Sequence, residues 1–262
     1  RQAGSSFKTF TLLAALDEGY SPETNLNCTS KVKIGNWDVA NYGNANYGTR
    51  SIESAFAVSS NTGFAELCTE IGPDKVADMA HKCGIESDLE SVPSITLGVE
   101  EVSVLEMAQA YATIANGGTL HKANCIEEIK DSSGQVIYHA DTRGDKVLNT
   151  DLTQAAVEVM EGVVQKGTGR NAALYNGQPV GGKTGTAENP RGRDHSTFLS
   201  FAPKDNPKIA ISVYVENGGF GASAALPIAS LLEEYYLTDT IRRPALLEYI
   251  KNMNIYYPSY DR

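Results

Sequence analysis

The apolar residues change their period along this chain. Phe7, Phe10, Leu12, Leu13 and Leu16 recur at helical spacing and Gly19 follows them. This predicts a largely buried helix from Phe7 to Glu18, with Ser5 at its N-terminal end. Residues 20–50 lose the period; they are rich in Asn, Gly, Tyr and Ser, with a near repeat in Asn41-Tyr42-Gly43 and Asn46-Tyr47-Gly48, and read as loop with short strands. Ser51 to Leu67 is amphipathic at helical spacing, Gly72-Pro73-Asp74 opens a helix running to about Cys83, and Ser103 to Ala115 forms another, stopped by Asn116-Gly117-Gly118. Residues 119–149 alternate around the turn Asp131-Ser132-Ser133-Gly134, which predicts a hairpin, and Leu152 to Gln165 is helical up to Gly167-Thr168-Gly169. Beyond this the period becomes two. Val180 to Ala187, Thr197 to Pro203 and Lys208 to Glu216 read as strands, with a turn at Lys204-Asp205-Asn206-Pro207 and a closing helix from Ala225 to about Tyr236. The order predicts an α+β fold: an antiparallel sheet sandwiched by helices, with an inserted all-helical lobe. Residues 1–262 read as a single domain, the lobe at about 20–150 and the sheet with its closing helix at about 177–240.

Composition narrows the function classes. A chain of 262 residues, 41% hydrophobic and 21% charged, can bury a substantial core. Its net charge of −10 argues against nucleic acid as a partner, because phosphate binding draws on clustered Lys and Arg. The short clusters Arg191 to Arg193 and Arg242-Arg243 read as solvated loop charges. No run approaches the roughly 18 apolar residues of a membrane span. The start, Arg1-Gln2-Ala3, is neither a signal peptide nor an initiator methionine, so the chain reads as a piece of something longer. Cys28, Cys68, Cys83 and Cys125 form no C-x-x-C pair and have no His at zinc spacing, so neither a metal nor another cofactor is expected. An even count permits two disulfides, yet Cys68 and Cys83 fall in helical segments and read as small buried thiols.

Three short motifs then stand in one order: Ser5-Ser6-Phe7-Lys8, Ser59-Ser60-Asn61 and Lys183-Thr184-Gly185. A serine hydroxyl is a poor nucleophile at neutral pH unless a base lies beside it. On a helix starting at Ser5, Lys8 is three positions on and shares its face. A lysine serves as base only if burial or a second cation lowers its pKa, and Lys183 is the second cation. A helix start also offers backbone N–H groups to an oxyanion. Ser59 and Asn61, two apart, face different ways on a regular helix, which predicts a helix-to-loop junction where both can face one cleft. Ser59 could relay a proton to a leaving amine and Asn61 could bind a substrate amide. Glycines flank Lys183, and glycine inside a strand marks close approach of another backbone, as of an extended peptide. Lys183, Thr184, Gly185 and Thr186 would then surround its terminal carboxylate. Gly177, Gly182, Lys183 and Thr184 also spell a phosphate-binding loop, but that motif must open a helix and here the strand period continues.

With these motifs the chain resembles the transpeptidase domain of penicillin-binding proteins, nearly end to end. Leu105-Glu106-Met107-Ala108, Ala115-Asn116-Gly117-Gly118, Gly167-Thr168-Gly169 and Val215-Glu216-Asn217-Gly218-Gly219 add to the likeness. The ending is most similar to class B enzymes and the middle to class A. The resemblance implies that Ser5 attacks the D-Ala-D-Ala bond of a peptidoglycan stem peptide with Lys8 as base, releases D-alanine, and passes the acyl group to a neighbouring stem amine. It implies an oxyanion hole from the N–H groups of Ser5 and Thr186, and covalent inhibition by β-lactams. It implies work at the extracytoplasmic face of a bacterial membrane, with a missing N-terminal anchor and cell-division or elongation machinery as partners.

Three alternatives share these motifs: a D,D-carboxypeptidase, a serine β-lactamase and a non-catalytic β-lactam sensor. A class A β-lactamase needs the Glu of E-x-x-L-N between its second and third motifs. Glu23-Thr24-Asn25-Leu26-Asn27 fits the letters but precedes Ser59, and reads as coincidence. Finally, the family's sheet has five strands, two of them ahead of the nucleophile's helix. Only Arg1 to Gly4 precede Ser5, so the Lys208 to Glu216 strand is expected to be completed by an upstream segment.

Overall fold

A computed structural model of the chain describes residues 1–255. Among the described residues, the α-helices are α1 (Lys8–Asp17), α2 (Ile52–Ala57), α3 (Asn61–Ile71), α4 (Pro73–Lys82), α5 (Val104–Ala115), α6 (Thr150–Lys166), α7 (Ala225–Thr238) and α8 (Pro244–Lys251). The strands are β1 (Asn25–Asn27), β2 (Lys31–Ile34), β3 (Trp37–Ala40), β4 (Thr49–Ser51), β5 (Thr119–Leu120), β6 (Glu128–Lys130), β7 (Val136–His139), β8 (Asp145–Lys146), β9 (Gly181–Ala187), β10 (His195–Ala202) and β11 (Ile209–Val215). The architecture is α+β, with a fully antiparallel main sheet in the order β11-β10-β9.

Two cores lie on the two faces of that sheet. Leu199 and Phe201 of β10 join the helical lobe, whose centre is α1: Phe10, Leu12, Leu13 and Ala15 are all fully buried. A helix buried on every side belongs in a core, and each such Leu or Phe contributes about 1.5–3 kcal/mol by leaving water, while the buried hydroxyls of Thr9 and Thr11 are paired with those of Tyr111 and Thr96. Phe198 and Ala202, pointing the other way, meet Ala225, Leu226 and Ala229 of α7. Alternation along β10 therefore divides its side chains between the two layers.

Three expectations need correction. The lobe is not all helical: it carries the expected hairpin, β6 with β7, and short strands in the 20–50 loop, β1 with β4 and β2 with β3, together with the ladder of β5 and β8. Ser51 to Leu67 is two helices, because Ser59 adopts a left-handed φ of 60° and ends the first. A further helix, α8, follows the closing one. The four cysteines are free among the described residues; Cys28, Cys68 and Cys83 are buried and Cys125 is exposed. Burial pushes the Cys68 and Cys83 thiols up to about 12, so neither is reactive at neutral pH.

Candidate active site

The Ser5 turn lies directly on β9. Residues Gly4–Phe7 form a 3-10 turn that runs into α1 at Lys8. Gly4 has φ +58°, and a Cβ there would stand 2.6 Å from the Thr186 carbonyl oxygen. A Cβ on Gly185 would stand 2.9 Å from the Ala3 carbonyl oxygen and 3.0 Å from the Ser6 nitrogen. Both positions require glycine, since real Cβ contacts of that length do not occur. The backbone that approaches Gly185 is thus the chain's own Ser5 turn and not an incoming peptide, which corrects the expectation and leaves the outer edge of β9 open. The same contact brings Ser5 beside Thr186.

Lys8 is fully buried at the centre of the site. Its Nζ lies 2.9 Å from Ser5 Oγ, 2.9 Å from the Ser59 carbonyl oxygen, 3.2 Å from Ser59 Oγ and 2.7 Å from Asn61 Oδ1. Burial lowers its pKa well below the usual lysine value, and the charge of Lys183 lowers it further. A neutral amine has two N–H groups, which the Ser59 carbonyl and Asn61 Oδ1 accept. Its lone pair then faces Ser5, so the Ser5 hydroxyl can donate to it. The left-handed backbone at Ser59 turns both its carbonyl and its hydroxyl toward Lys8, and such strain is held only where the surroundings fix it.

Lys183 occupies a second buried position, on the inner face of β9. Its ammonium donates to Ser59 Oγ at 2.8 Å and to the Thr184 carbonyl at 2.9 Å, and stands 5.3 Å over the Phe56 ring. Burial lowers its pKa to about 7. Ser59 Oγ therefore bridges the two lysines, accepting from Lys183 with its own proton free to move toward Lys8 or a leaving group. Lys183 is fully buried and does not line the cleft, so its field and not its amine reaches that space. Thr184, whose Oγ1 lies 2.5 Å from that of Thr168, is the hydroxyl presented there.

The cleft holds Ser5, Ser59, Asn61, Thr184 and Thr186 with Tyr42, Tyr47, Val58, Thr168, Glu188 and Phe220, and encloses about 120 Å³. A larger hollow of about 450 Å³ beside α8 contains neither Ser5 nor a lysine. Glu23 is exposed and outside the cleft. Sequence reasoning did not bring the tyrosines of the Asn-Tyr-Gly repeat to the cleft; Tyr42 is 62% exposed there, and its ring sits 5.6 Å from that of Phe220 across the cleft mouth. It also missed Asn41, the buried support of the second motif. The Asn41 Oδ1 accepts from the Ser60 hydroxyl and from the N–H groups of Asn61 and Thr62, while its Nδ2 donates to the carbonyls of Cys28, Thr29 and Ala45. Asn61 is held further by its Nδ2, which donates to the Ala40 carbonyl at 3.0 Å. One Asn among several in an Asn-, Gly- and Tyr-rich loop carries no periodic signal that would mark it out.

A hydroxyl facing a buried amine, beside the open edge of an antiparallel strand, is the equipment of a serine acyl-transfer enzyme. Residues 1–232 match the model of the penicillin binding protein transpeptidase domain, and the chain belongs to that family. It is similar to penicillin-binding protein 1A of Rickettsia typhi, with 31% identity over 82% of this chain and 30% of that protein. It is also similar to peptidoglycan D,D-transpeptidase PbpA of Mycolicibacterium smegmatis, with 31% identity over 84% of this chain and 51% of the relative. Among solved structures, penicillin-binding protein A of M. tuberculosis as an imipenem acyl-enzyme superposes with a TM-score of 0.82 at 27% identity, over 91% of this chain and 60% of that one. The chain thus spans about a third to a half of the length of these curated relatives.

Proposed function

We propose that this domain cross-links peptidoglycan stem peptides as a serine D,D-transpeptidase. The observation that carries the reading is the amine of Lys8, buried, held by that burial well below the usual lysine pKa, and 2.9 Å from Ser5 Oγ. The stem peptide lies extended along the open edge of β9, its terminal carboxylate at Thr184 within the field of Lys183. Ser5 passes its proton to Lys8 and attacks the carbonyl of the penultimate D-Ala. The N–H groups of Ser5 and Thr186 bind the oxyanion, and Ser59 hands a proton to the departing amine. D-alanine leaves, and an amine from a second stem takes the acyl group from Ser5. Asn61 fixes Lys8 and offers its remaining N–H to the substrate amide. β-Lactams would acylate the same serine; the M. tuberculosis relative forms an acyl-enzyme complex with imipenem.

No helix among the described residues is long and apolar enough to cross a membrane. We propose that the domain works at the extracytoplasmic face through an anchor elsewhere in its parent protein, alongside cell-division or elongation machinery. Intact mass after incubation with a penicillin tests the enzymatic reading. One adduct should appear at Ser5, and Ser5→Ala should abolish it. A label on another residue would refute the assignment.

A further inference from the structure

Glu188 is the one charged residue among those lining the cleft. It stands two residues beyond Thr186, as Thr186 does beyond Thr184, so the three share one face of β9 and its extension at steps of about 6.6 Å. Lys183 and Ala187, of the opposite parity, are buried inward. The Glu188 carboxylate is exposed and makes no hydrogen bond or ion pair among the described residues. The arginines of the adjoining groove leave it free: Arg1 pairs with Glu216 at 2.7 Å, and Arg191 makes no ion pair among the described residues. The rest of the wall is hydroxyl, amide, valine and aromatic ring.

Resting on the transpeptidase reading, the direction of the donor peptide follows. Its carboxylate lies at Thr184 and its scissile carbonyl at Thr186, so the chain upstream of D-Ala-D-Ala runs toward Glu188. Cross-linking consumes an amine, and D-Ala side chains carry none. The amine therefore sits on a residue upstream, and a donor stem of the same composition carries it too. We infer that Glu188 is a specificity-determining residue that pairs with a primary ammonium on the donor stem, one residue upstream of D-Ala-D-Ala. It would favour stems whose amine is free over stems already acylated there.

The test uses the purified domain and two synthetic donors, diacetyl-L-Lys-D-Ala-D-thiolactate with one acetyl on each amine, and its analogue with the side-chain amine free. An exposed pair of this kind is worth about a threefold to fivefold preference in acylation rate for the free amine, shrinking in high salt. Glu188→Gln should remove the preference, Glu188→Asp should keep its sign, and Glu188→Lys should reverse it. A wild-type domain that shows no preference, or a Glu188→Gln variant that retains it, overturns the inference. Penicillin labelling of the wild type reads the parent hypothesis separately. Labelling without a preference sinks the role of Glu188 alone, whereas no labelling at all sinks the transpeptidase reading.

Discussion

Two buried lysine amines within reach of one serine hydroxyl set the pH behaviour of the site. Lys8 must lose its proton to act as base, so acylation should rise with pH as Lys8 deprotonates. The charge of Lys183 helps keep the Lys8 pKa low. Replacing it by the neutral Lys183→Met lets that pKa rise, and the acid limb of the rate profile should move to higher pH. Penicillin acylation rates measured from about pH 5 to 9 read the limb directly, and an unmoved limb would show that Lys183 does not tune Lys8. Lys8→Arg should abolish acylation while the domain stays folded, because a guanidinium cannot give up its proton. A second buried group acts on stability alone. Glu233 is fully buried on α7 with neither carboxylate oxygen hydrogen-bonded, and burial pushes its pKa up to about 7. Between its unfolded value and 7 the folded state binds the extra proton, so stability should fall as pH rises through that window, by about 3 kcal/mol. Glu233→Gln should flatten the fall; urea midpoints at acid and slightly alkaline pH compare the two, and parallel curves would remove the role of Glu233.

At the scale of elements, what was legible followed from period and punctuation. The strands β9, β10 and β11, and helices α1, α5 and α6, start and stop within a few residues of their hydrophobic pattern. The capping box of Ser103 and Glu106 at α5 is the kind of local chemistry a sequence displays. What escaped was determined by contacts distant in sequence. The break between α2 and α3 depends on the left-handed Ser59, which amphipathic spacing across 51–67 conceals. The glycine at 185 was legible as a close approach, but the partner was the Ser5 turn, about 180 residues away in the chain, as only a long-range fold can arrange. Asn41 was invisible for the same reason. It links the loop at 41–48 to the start of α3 through buried hydrogen bonds, and its loss leaves several backbone groups unpaired at a cost of about 1–3 kcal/mol for each that water cannot reach. Asn41→Ala should therefore destabilise the domain by about 3 kcal/mol in urea unfolding and slow acylation by loosening Ser59 and Asn61. A variant with full stability but slow acylation would assign Asn41 to the site alone.

On the scale of the whole molecule, β11 is the strand with an open outer edge. It bonds to β10 along seven residues, from Ile209 to Val215, and to no other strand among the described residues. Helix α5 and helix α7 both pack against it, yet every one of its residues stays only partly buried. A strand with covered faces and an open edge presents a row of unpaired N–H and C=O groups, a template for pairing. Arg1 lies at the end of this strand, its guanidinium on Glu216, and Gln2 bridges to Glu101 close by. We propose that a strand from outside residues 1–262 pairs with this open edge of β11. Hydrogen exchange decides it, because antiparallel pairing protects alternate amides on each edge. In the isolated domain the β11 amides facing β10 should be protected and those facing outward should exchange fast. In the longer parent protein both sets should be slow, and the melting temperature should rise. If the outward amides exchange equally fast in the parent, no strand covers that edge and the proposal fails.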